Sequence, residues 1–380
     1  MNNARFKKNI TLSTMLSRSN LILLFMFCFL IYSFEADCQS KKRKGVRIVS
    51  SGKDSSYGKR GDNELRVVFY NVENLFDPYD DTLTMDEEYT PTGMRGWTYG
   101  RMIRKQVNIS KSIMAIGGFR PPEIVGLCEI ENRFVILGLL KNTPLKNYNY
   151  KIVHHESPDT RGIDVALIYL PDKFQVLHNE PIHITFPFEE NSKTRDILYV
   201  MGRVNNGDTL HIFVNHWPSK FGGLMATTPK RNHVASVLRS KVDSILNQNI
   251  NSKILIMGDL NDGPTDESVK DVLKASLDST NIDDYGLYNT LAGSGMNWNK
   301  GTIKFRGEWE TIDHIIINKQ LAKDAEGLRV KKMGAVIFDA PFLLQEDKTF
   351  FGKKPYRTYY GAQYIGGFSD HLPIYIDLHY

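Results

Sequence analysis

The chain is predicted to be an α/β protein whose core is a sandwich of two β-sheets flanked by helices. From Glu64 onward, short runs rich in Val, Ile, Phe and Tyr alternate irregularly with amphipathic segments, and many strand-like runs are adjacent. Clusters of Gly, Pro and Asn separate these runs, and no repeat of solenoid length is visible. This irregular order favours a sandwich over a doubly wound parallel sheet or a barrel.

The individual elements follow from residue type and period. Runs rich in β-branched and aromatic residues predict strands, and a 3.6-residue apolar period predicts helices. The predicted strands are Leu65–Tyr70, Ile124–Cys128, Tyr150–His154, Asp164–Tyr169, Ile197–Val204, Thr209–Asn215, Ile254–Met257, Thr311–Ile317 and Pro373–Leu378. The predicted helices are Tyr99–Ile116, Val135–Leu140, Arg231–Asn247 and Asp266–Lys274.

The first 38 residues are predicted to be a signal peptide. Basic residues precede a mostly apolar run, Leu21–Phe34, that is short for a bilayer span and typical of a signal core. Cleavage before Gln39 and export to the periplasm or the outside of the cell are expected. A lipoprotein anchor at Cys38 ranks second because Asp37 is a poor residue in front of it, and an uncleaved N-terminal anchor ranks third.

Residues 39–63 are rich in Lys, Ser and Gly and are predicted to be a flexible spacer, followed by one domain over 64–380. The formal net charge of +5 comes partly from the first sixty residues, so a polyanionic substrate is allowed but not demanded. Outside the predicted signal the only cysteine is Cys128, which excludes an internal disulfide. The acidic segment Thr82–Arg95 is predicted to be a surface insertion.

Five apolar runs end in polar groups suited to metal and phosphate chemistry. The groups are Asn71 and Glu73, Glu129, His216, Asp259 and Asn261, and Asp370 with His371. A buried strand has no structural need for acids and amides at its end, so these side chains are expected to meet at one edge of the sandwich. The set is rich in oxygen and free of thiolate, which suits Mg²⁺, Mn²⁺ or Ca²⁺ better than structural zinc.

Seven motifs carry a resemblance to a known family. In order, they are FYNVENLFD, VGLCEIEN, HESPDTRGIDVALIY, FVNHWPS, MGDLND, TIDHIIIN and GGFSDHLP. Over about residues 65–380 the chain resembles the endonuclease/exonuclease/phosphatase superfamily, especially its secreted bacterial members. The resemblance implies a DNase I-like four-layer α/β sandwich with two central mixed sheets, and a divalent-metal-dependent hydrolase of phosphoester bonds.

The resemblance also implies roles on the metal side of the site. Glu129 matches the principal metal carboxylate, and Asp370 matches a second acid on that side. Asn71 and Glu73 match the asparagine and acid that complete the metal and phosphate environment. Because these last two are two residues apart, they are expected to share one face of a strand.

On the side of the attacking water, Asp259 and Asn261 match the pair that orients and deprotonates it. Asp313 and His371 match an acid–imidazole pair beside the scissile phosphate. Asp259 is the predicted general base, and Asp313 is expected to favour the imidazolium form of His371, which can donate to the phosphate.

His216 matches a second histidine across the phosphate from His371. Glu156 is predicted to support that histidine, and Arg161 to contact the phosphate. Trp217 is equally consistent with stacking on a substrate and with packing. Three further polar residues, Asp164, Asp262 and His314, are interpreted as structural.

The substrate is less determined than the mechanism, because one fold serves many substrates. The first hypothesis is a secreted monomeric nuclease acting on DNA or RNA, with no stable protein partner. The alternative is a phosphatase or a phospholipid phosphodiesterase of the sphingomyelinase type, which would need exposed apolar loops that Thr82–Arg95 does not resemble. A non-catalytic binding protein ranks low because the catalytic residues are present. Segment Phe350–Gly367, with Arg357, is predicted to line the substrate groove.

Overall fold

The computed structural model describes residues 60–291, 300–323 and 326–380. The predicted signal peptide and nearly all of the predicted spacer lie outside these residues. The spacer boundary at residue 63 is wrong, because Arg60 is buried and donates to the carbonyls of Gly117 and Pro121. Among the described helices, none is both long and apolar enough to cross a membrane.

The strands fall into two large sheets and three small hairpins. Their bounds are β1 Glu64–Leu75, β2 Ile124–Ile130, β3 Lys151–His154, β4 Asp164–Tyr169, β5 Phe174–Ile182, β6 Ile197–Val204, β7 Thr209–His216, β8 Lys253–Asp259, β9 Ala275–Ser276, β10 Leu287–Asn289, β11 Ile303–Phe305, β12 Glu308–Glu310, β13 Asp313–Asn318, β14 Arg329–Val330, β15 Val336–Ile337, β16 Leu344–Glu346, β17 Lys353–Pro355, β18 Tyr359–Tyr360, β19 Gln363–Tyr364 and β20 Ile374–His379. The α-helices are α1 Tyr99–Gly117, α2 Arg133–Lys141, α3 Leu224–Gln248 and α4 Lys319–Lys323.

Both large sheets are mixed. The first has the order β14-β20-β1-β2-β4-β3, with β15 also pairing with β20; β1 and β2 are parallel and the other pairs antiparallel. The second has the order β5-β6-β7-β8-β13-β10-β9, in which β7 and β8, and β9 and β10, are parallel. In each sheet a central parallel pair therefore carries its two strand ends to the same edge.

Three apolar clusters separate four layers. Residues of both sheets, such as Phe69 of β1 and Met257 of β8, form the central cluster. The opposite face of the first sheet packs on α1 and α2, and that of the second sheet packs on α3. Each fully buried aliphatic or aromatic side chain contributes about 1.5–3 kcal/mol of transfer free energy. The predicted four-layer α/β sandwich is confirmed.

One strand that was not predicted and two predicted helices differ between expectation and structure. Strand β5 was not predicted because it is a polar edge strand containing His178, Glu180 and Pro181, and only its first residue is buried. The predicted helix Asp266–Lys274 is reduced to a single π-helical turn at Ser268–Val272, in which the Leu273 amide donates to the Ser268 carbonyl. Helix α3 begins at Leu224, seven residues before the predicted start, despite Pro229 in its second turn.

Candidate active site

The strand ends converge on Asp259, the last residue of β8. In the second sheet Asp259 pairs with His216 of β7 on one side and with Asp313 of β13 on the other. Glu129 lies at the end of β2, and Asn71 lies in the second half of β1. These five residues therefore lie together at one end of the two sheets, as predicted.

Asn71 links the two sheets. Its side-chain amide donates to the Asp259 carboxylate at 3.0 Å and to Glu129 at 3.3 Å, and lies 3.5 Å from His371 Nε2. Its backbone carbonyl accepts from the Ser369 hydroxyl, which also accepts from the His371 amide. One buried amide thus fixes the spacing of the acids contributed by both sheets.

His371 and Asp313 form the expected acid–imidazole pair, with Nδ1 2.7 Å from the Asp313 carboxylate. Burial acts to lower the pKa of His371, but the charge of Asp313 and its hydrogen bond raise that pKa well above its usual value. The imidazolium form therefore persists at neutral pH, with Nε2 3.8 Å from Asp259.

Asp259 has the properties of a general base. Burial raises its pKa to about 7, while the neighbouring His371 acts to lower it. Its backbone carbonyl accepts a hydrogen bond from the Trp217 backbone amide, and its Oδ1 accepts one from the Asn261 backbone amide. These two hydrogen bonds fix the position of Asp259. A carboxylate whose pKa lies near neutrality can take a proton from water and release it again.

His216 lies on the other side of Asp259, with Nε2 3.8 Å from that carboxylate. Burial lowers its pKa well below the usual value, so it is neutral. Its Nδ1 has no hydrogen-bond partner among the described residues. Glu156, predicted to support it, is instead directed to solvent beside His154, at 3.8 Å, so the structure does not place it on His216.

Glu73 points away from Asn71, contrary to the expectation of a shared face. Its φ of 54° is left-handed, and the pairing of β1 with β2 shifts register between Asn71 and Leu75, which breaks the two-residue alternation. Its carboxylate accepts from the Thr358 amide at 2.6 Å and from Arg357 at 3.1 Å.

Glu129 offers a partly exposed carboxylate, without a Lys or Arg partner among the described residues, for a divalent cation. It too has a left-handed φ, 60°, and its side chain is 14% exposed. Oε2 accepts from the Asn74 amide at 2.8 Å, so that both oxygens are held by neutral amides of β1. An oxygen-only donor of this kind fits a divalent cation such as Mg²⁺ or Mn²⁺.

Three comparisons bear on the identity of the chain. The sequence model of the Endonuclease/Exonuclease/phosphatase family matches residues 66–380. The chain belongs to this family. It is therefore a metal-dependent hydrolase of phosphoester bonds. No curated protein sequence matches the chain.

Solved structures of this family share the fold. The human nocturnin catalytic domain with bound sulfate has 18% identity and a TM-score of 0.52, over 83% of this chain and 94% of that one. The TDP2 of D. rerio complexed with a single-strand DNA product has 16% identity and a TM-score of 0.51, over 84% and 100%. The mannosyl-6-phosphatase of Bacteroides thetaiotaomicron has 16% identity and a TM-score of 0.52, over 83% and 100%.

Two further predicted site residues, Asn261 and Arg161, have side chains close to His216 or to the residue after it. The Asn261 side-chain amide donates to the Trp217 carbonyl at 3.0 Å, so it holds the segment after His216. Arg161 is half-exposed beside Asp159 and close enough to His216 to help lower its pKa.

The polar residues interpreted as structural have structural partners. Asp262 pairs with buried Arg231 at 2.7 Å, and His314 Nε2 lies 2.9 Å from the Asp262 carbonyl. Asp164 accepts from Ser157 and lies 3.1 Å from His154 Nε2. Trp217 is buried and donates to Asn215, which favours packing over stacking.

Two buried cations of the site were not predicted. Lys105 of α1 lies 3.7 Å from Glu73 and donates to Thr358 Oγ1 and the Phe368 carbonyl. A signal was present, because Lys105 falls on the apolar face of α1, between Met102 and Ile109. Arg195, from a polar loop without periodicity, donates to the carbonyls of His216 and Trp217 and pairs with Asp159.

Proposed function

We propose that this enzyme is an exported nuclease that hydrolyses phosphodiester bonds of DNA or RNA by attack of an activated water, with Mg²⁺, Mn²⁺ or Ca²⁺ as its ion. Glu129 is the carboxylate best placed to hold the ion, because no Lys or Arg of the described residues pairs with it, whereas Asp370 is paired with Arg357. When bound, the ion neutralises phosphate oxygens and stabilises the leaving oxygen. The remaining chemistry belongs to the residues around Asp259.

The geometry supports different roles for Asp259, His371 and His216 in the attack of water on the phosphate. Asp259 takes the proton of the attacking water, a contribution of about 10²–10⁴-fold. His371, held as imidazolium by Asp313, donates from Nε2 to a phosphate oxygen as charge develops there. Neutral His216 can donate from the opposite side through Nε2, which also faces Asp259.

The supply of cations favours a diester over a monoester. A monoester dianion calls for more positive charge at the phosphate than a diester, which carries one negative charge. Two of the nearby arginines are committed to carboxylates, Arg195 to Asp159 and Arg357 to Glu73 and Asp370. Arg161 also lies near Asp159, at 3.9 Å, but it is half-exposed and can turn to the phosphate together with His371, which is adequate for one negative charge.

A groove beside His371 carries the proposal of a nucleic-acid substrate. It has a volume of about 490 Å³ and reaches Leu372, the residue after His371. Its lining includes Lys353, which has no ion-pair partner among the described residues, and the rings of Trp309 and Phe350. Ammonium groups beside aromatic rings suit a single-stranded polyanion whose bases can stack.

A lipid substrate is the second candidate, and a specific observation favours it. Phe221 and Met225 are each 93% exposed in the segment that follows His216. In the acidic insertion Thr82–Arg95, Leu83 and Met94 are also exposed, so the expectation that this insertion lacks exposed apolar residues is wrong. Such side chains could rest on a membrane surface.

Export remains a proposal from the sequence, with cleavage before Gln39 preferred to lipidation of Cys38. The intact mass and N-terminal sequence of the mature protein test it. A chain beginning at Gln39 is expected. An acylated Cys38 would replace cleavage before Gln39 by lipidation but keep export, whereas a cytoplasmic chain with an intact Met1 would contradict export.

The substrate is tested with residues 39–380 and Mg²⁺ on plasmid DNA, single-stranded DNA, RNA, sphingomyelin vesicles and a sugar monophosphate. Nucleic acid is expected to be hydrolysed fastest, and Lys353→Ala to raise its KM. Lys348→Ala, an exposed lysine outside the groove, is the matched control and should leave KM unchanged. Hydrolysis confined to sphingomyelin, and lost in Phe221→Ser, would establish the lipid candidate instead.

A further inference from the structure

The metal side of the site holds three carboxylates whose electrostatic partners differ. Glu73, Glu129 and Asp370 all act on the pKa of both Lys105 and Arg357, so the five groups share one electrostatic environment. Two carboxylates have a cation within 4 Å that is charged at neutral pH, and the third does not. That difference bears on how many divalent ions the site accepts.

Glu73 is fully engaged by the protein itself. Oε1 accepts from Arg357 Nε at 3.1 Å, while Oε2 accepts from the Thr358 amide at 2.6 Å and lies 3.7 Å from Lys105 Nζ. Lys105 is buried and is also anchored by Thr358 Oγ1 and the Phe368 carbonyl. A carboxylate surrounded in this way has little need of a metal ion for neutralisation.

Asp370 has the same arginine as its partner. Arg357 Nη2 donates to Asp370 Oδ2 at 3.0 Å, so one guanidinium bridges two carboxylates through two different nitrogens. An arginine guanidinium carries a permanent positive charge. A fixed charge between two acids is the electrostatic role that a second metal ion would otherwise fill.

Glu129 has no such partner. Its oxygens accept from Asn71 Nδ2 and the Asn74 amide, both neutral, and no Lys or Arg of the described residues forms an ion pair with it. Among the described residues, Glu129 is therefore the metal-side carboxylate that still requires a cation.

We propose that Arg357 and Lys105 act as a built-in replacement for a second metal ion at Glu73 and Asp370, so that the active site binds one divalent cation, at Glu129. The inference rests on the metal dependence of the proposed function. It assigns Arg357 as a positioning residue, which holds Asp370 beside Glu73, rather than as a group that touches the reacting atoms.

Counting bound Mn²⁺ by calorimetry and by electron paramagnetic resonance tests the proposal without any substrate, so failure to cut nucleic acid leaves it untouched. One ion per chain is expected for the wild type and none at this site for Glu129→Ala. Arg357→Ala should admit a second, weaker ion, because Asp370 is then unpaired. Arg357→Lys retains a positive charge and should bind one ion.

Lys348→Ala removes an exposed cation of the same segment that contacts none of these acids, and it should bind one ion like the wild type. Arg357 is 42% exposed, so its truncation is expected to leave the fold intact, which thermal unfolding checks. Two ions in the wild type would overturn the proposal whatever the variants do. A count that stays at one in folded Arg357→Ala up to millimolar Mn²⁺ would also overturn it.

Discussion

At the scale of single residues, the charge of His371 depends chiefly on Asp313, with smaller effects of Asp259 and Asp370. Asp313 lies 2.7 Å from Nδ1 and raises the His371 pKa, against a burial effect that lowers it. Asp259, 3.8 Å from Nε2, must lose its proton to act as the base, and its pKa is about 7. The two groups interact, so a pH–rate profile reports values that belong to the pair.

The Asp313→Asn variant tests this electrostatic arrangement. In the wild type, activity should rise as Asp259 deprotonates near pH 7 and fall only at a higher pH, where His371 loses its proton. Asparagine removes the largest of the charges that raise the His371 pKa, leaving only Asp259 and Asp370 to oppose the effect of burial. The alkaline limb should therefore move to lower pH, and kcat should fall by about 10²–10⁴-fold. An unshifted alkaline limb would show that His371 does not set it.

Residue type predicted which side chains belong near the site better than it predicted their directions. Asn71, Glu129, Asp259, Asp313 and His371 meet as expected, because their motifs end or begin strands. The predicted side-chain directions were wrong where the backbone departs from regular strand geometry. The left-handed φ at Glu73 turns its carboxylate to Lys105, and the loop that carries Glu156 directs it to solvent. Neither feature has a signature in a two-residue period.

At the scale of elements, unusual backbone conformations occur near the ends of the strands that carry site residues. Four residues near strand ends have left-handed φ values. Each lies within two residues of the last residue of β1, β2 or β8: Glu73, Asn74, Glu129 and Asn261. Such backbone costs about 1–3 kcal/mol per residue and persists where the surroundings impose it. Here it is the buried amide contacts of Asn71, Asn74 and Asp259 that hold it.

Helix α3 takes part in a buried ion pair that the sequence pattern did not predict. Its basic residues resemble a solvated face, yet Arg231 is completely buried and lies 2.7 Å from Asp262. The partner comes from the segment after β8, 31 positions away, so no local period could reveal the pair. This contact fixes α3 against the segment that carries Asn261.

Arg231→Met is expected to destabilise the protein by up to about 3–5 kcal/mol, because the buried Asp262 carboxylate keeps only the partly exposed Lys220, at 3.5 Å, as a cation. Equilibrium denaturation in urea measures the free energy of unfolding. Lys230→Met is the matched control on the same helix, since its pair with Glu189 is largely exposed and its loss should cost much less. Equal losses in the two variants would contradict a structural role for the buried pair.

At the scale of the whole molecule, each sheet supplies half of the active site. The first sheet contributes Asn71 and Glu129, and the second contributes His216, Asp259 and Asp313. The sandwich is therefore necessary for the chemistry, because the Asn71–Asp259 hydrogen bond exists only where the two sheets face each other. The layers were predictable from strand composition and the family motifs, while the edge strand β5 was not, since little of it is buried.

The most direct test of the account is the initial rate of plasmid cleavage in Mg²⁺ for the wild type, His371→Ala and His183→Ala. His183 is a matched control, because it forms an Asp–His pair with Asp196 at 2.8 Å but is exposed and outside the site. The account predicts metal-dependent cleavage that EDTA abolishes, a loss of about 10²–10⁴-fold in His371→Ala and wild-type rates in His183→Ala. Cleavage that survives EDTA, or that His371→Ala leaves intact, would contradict it.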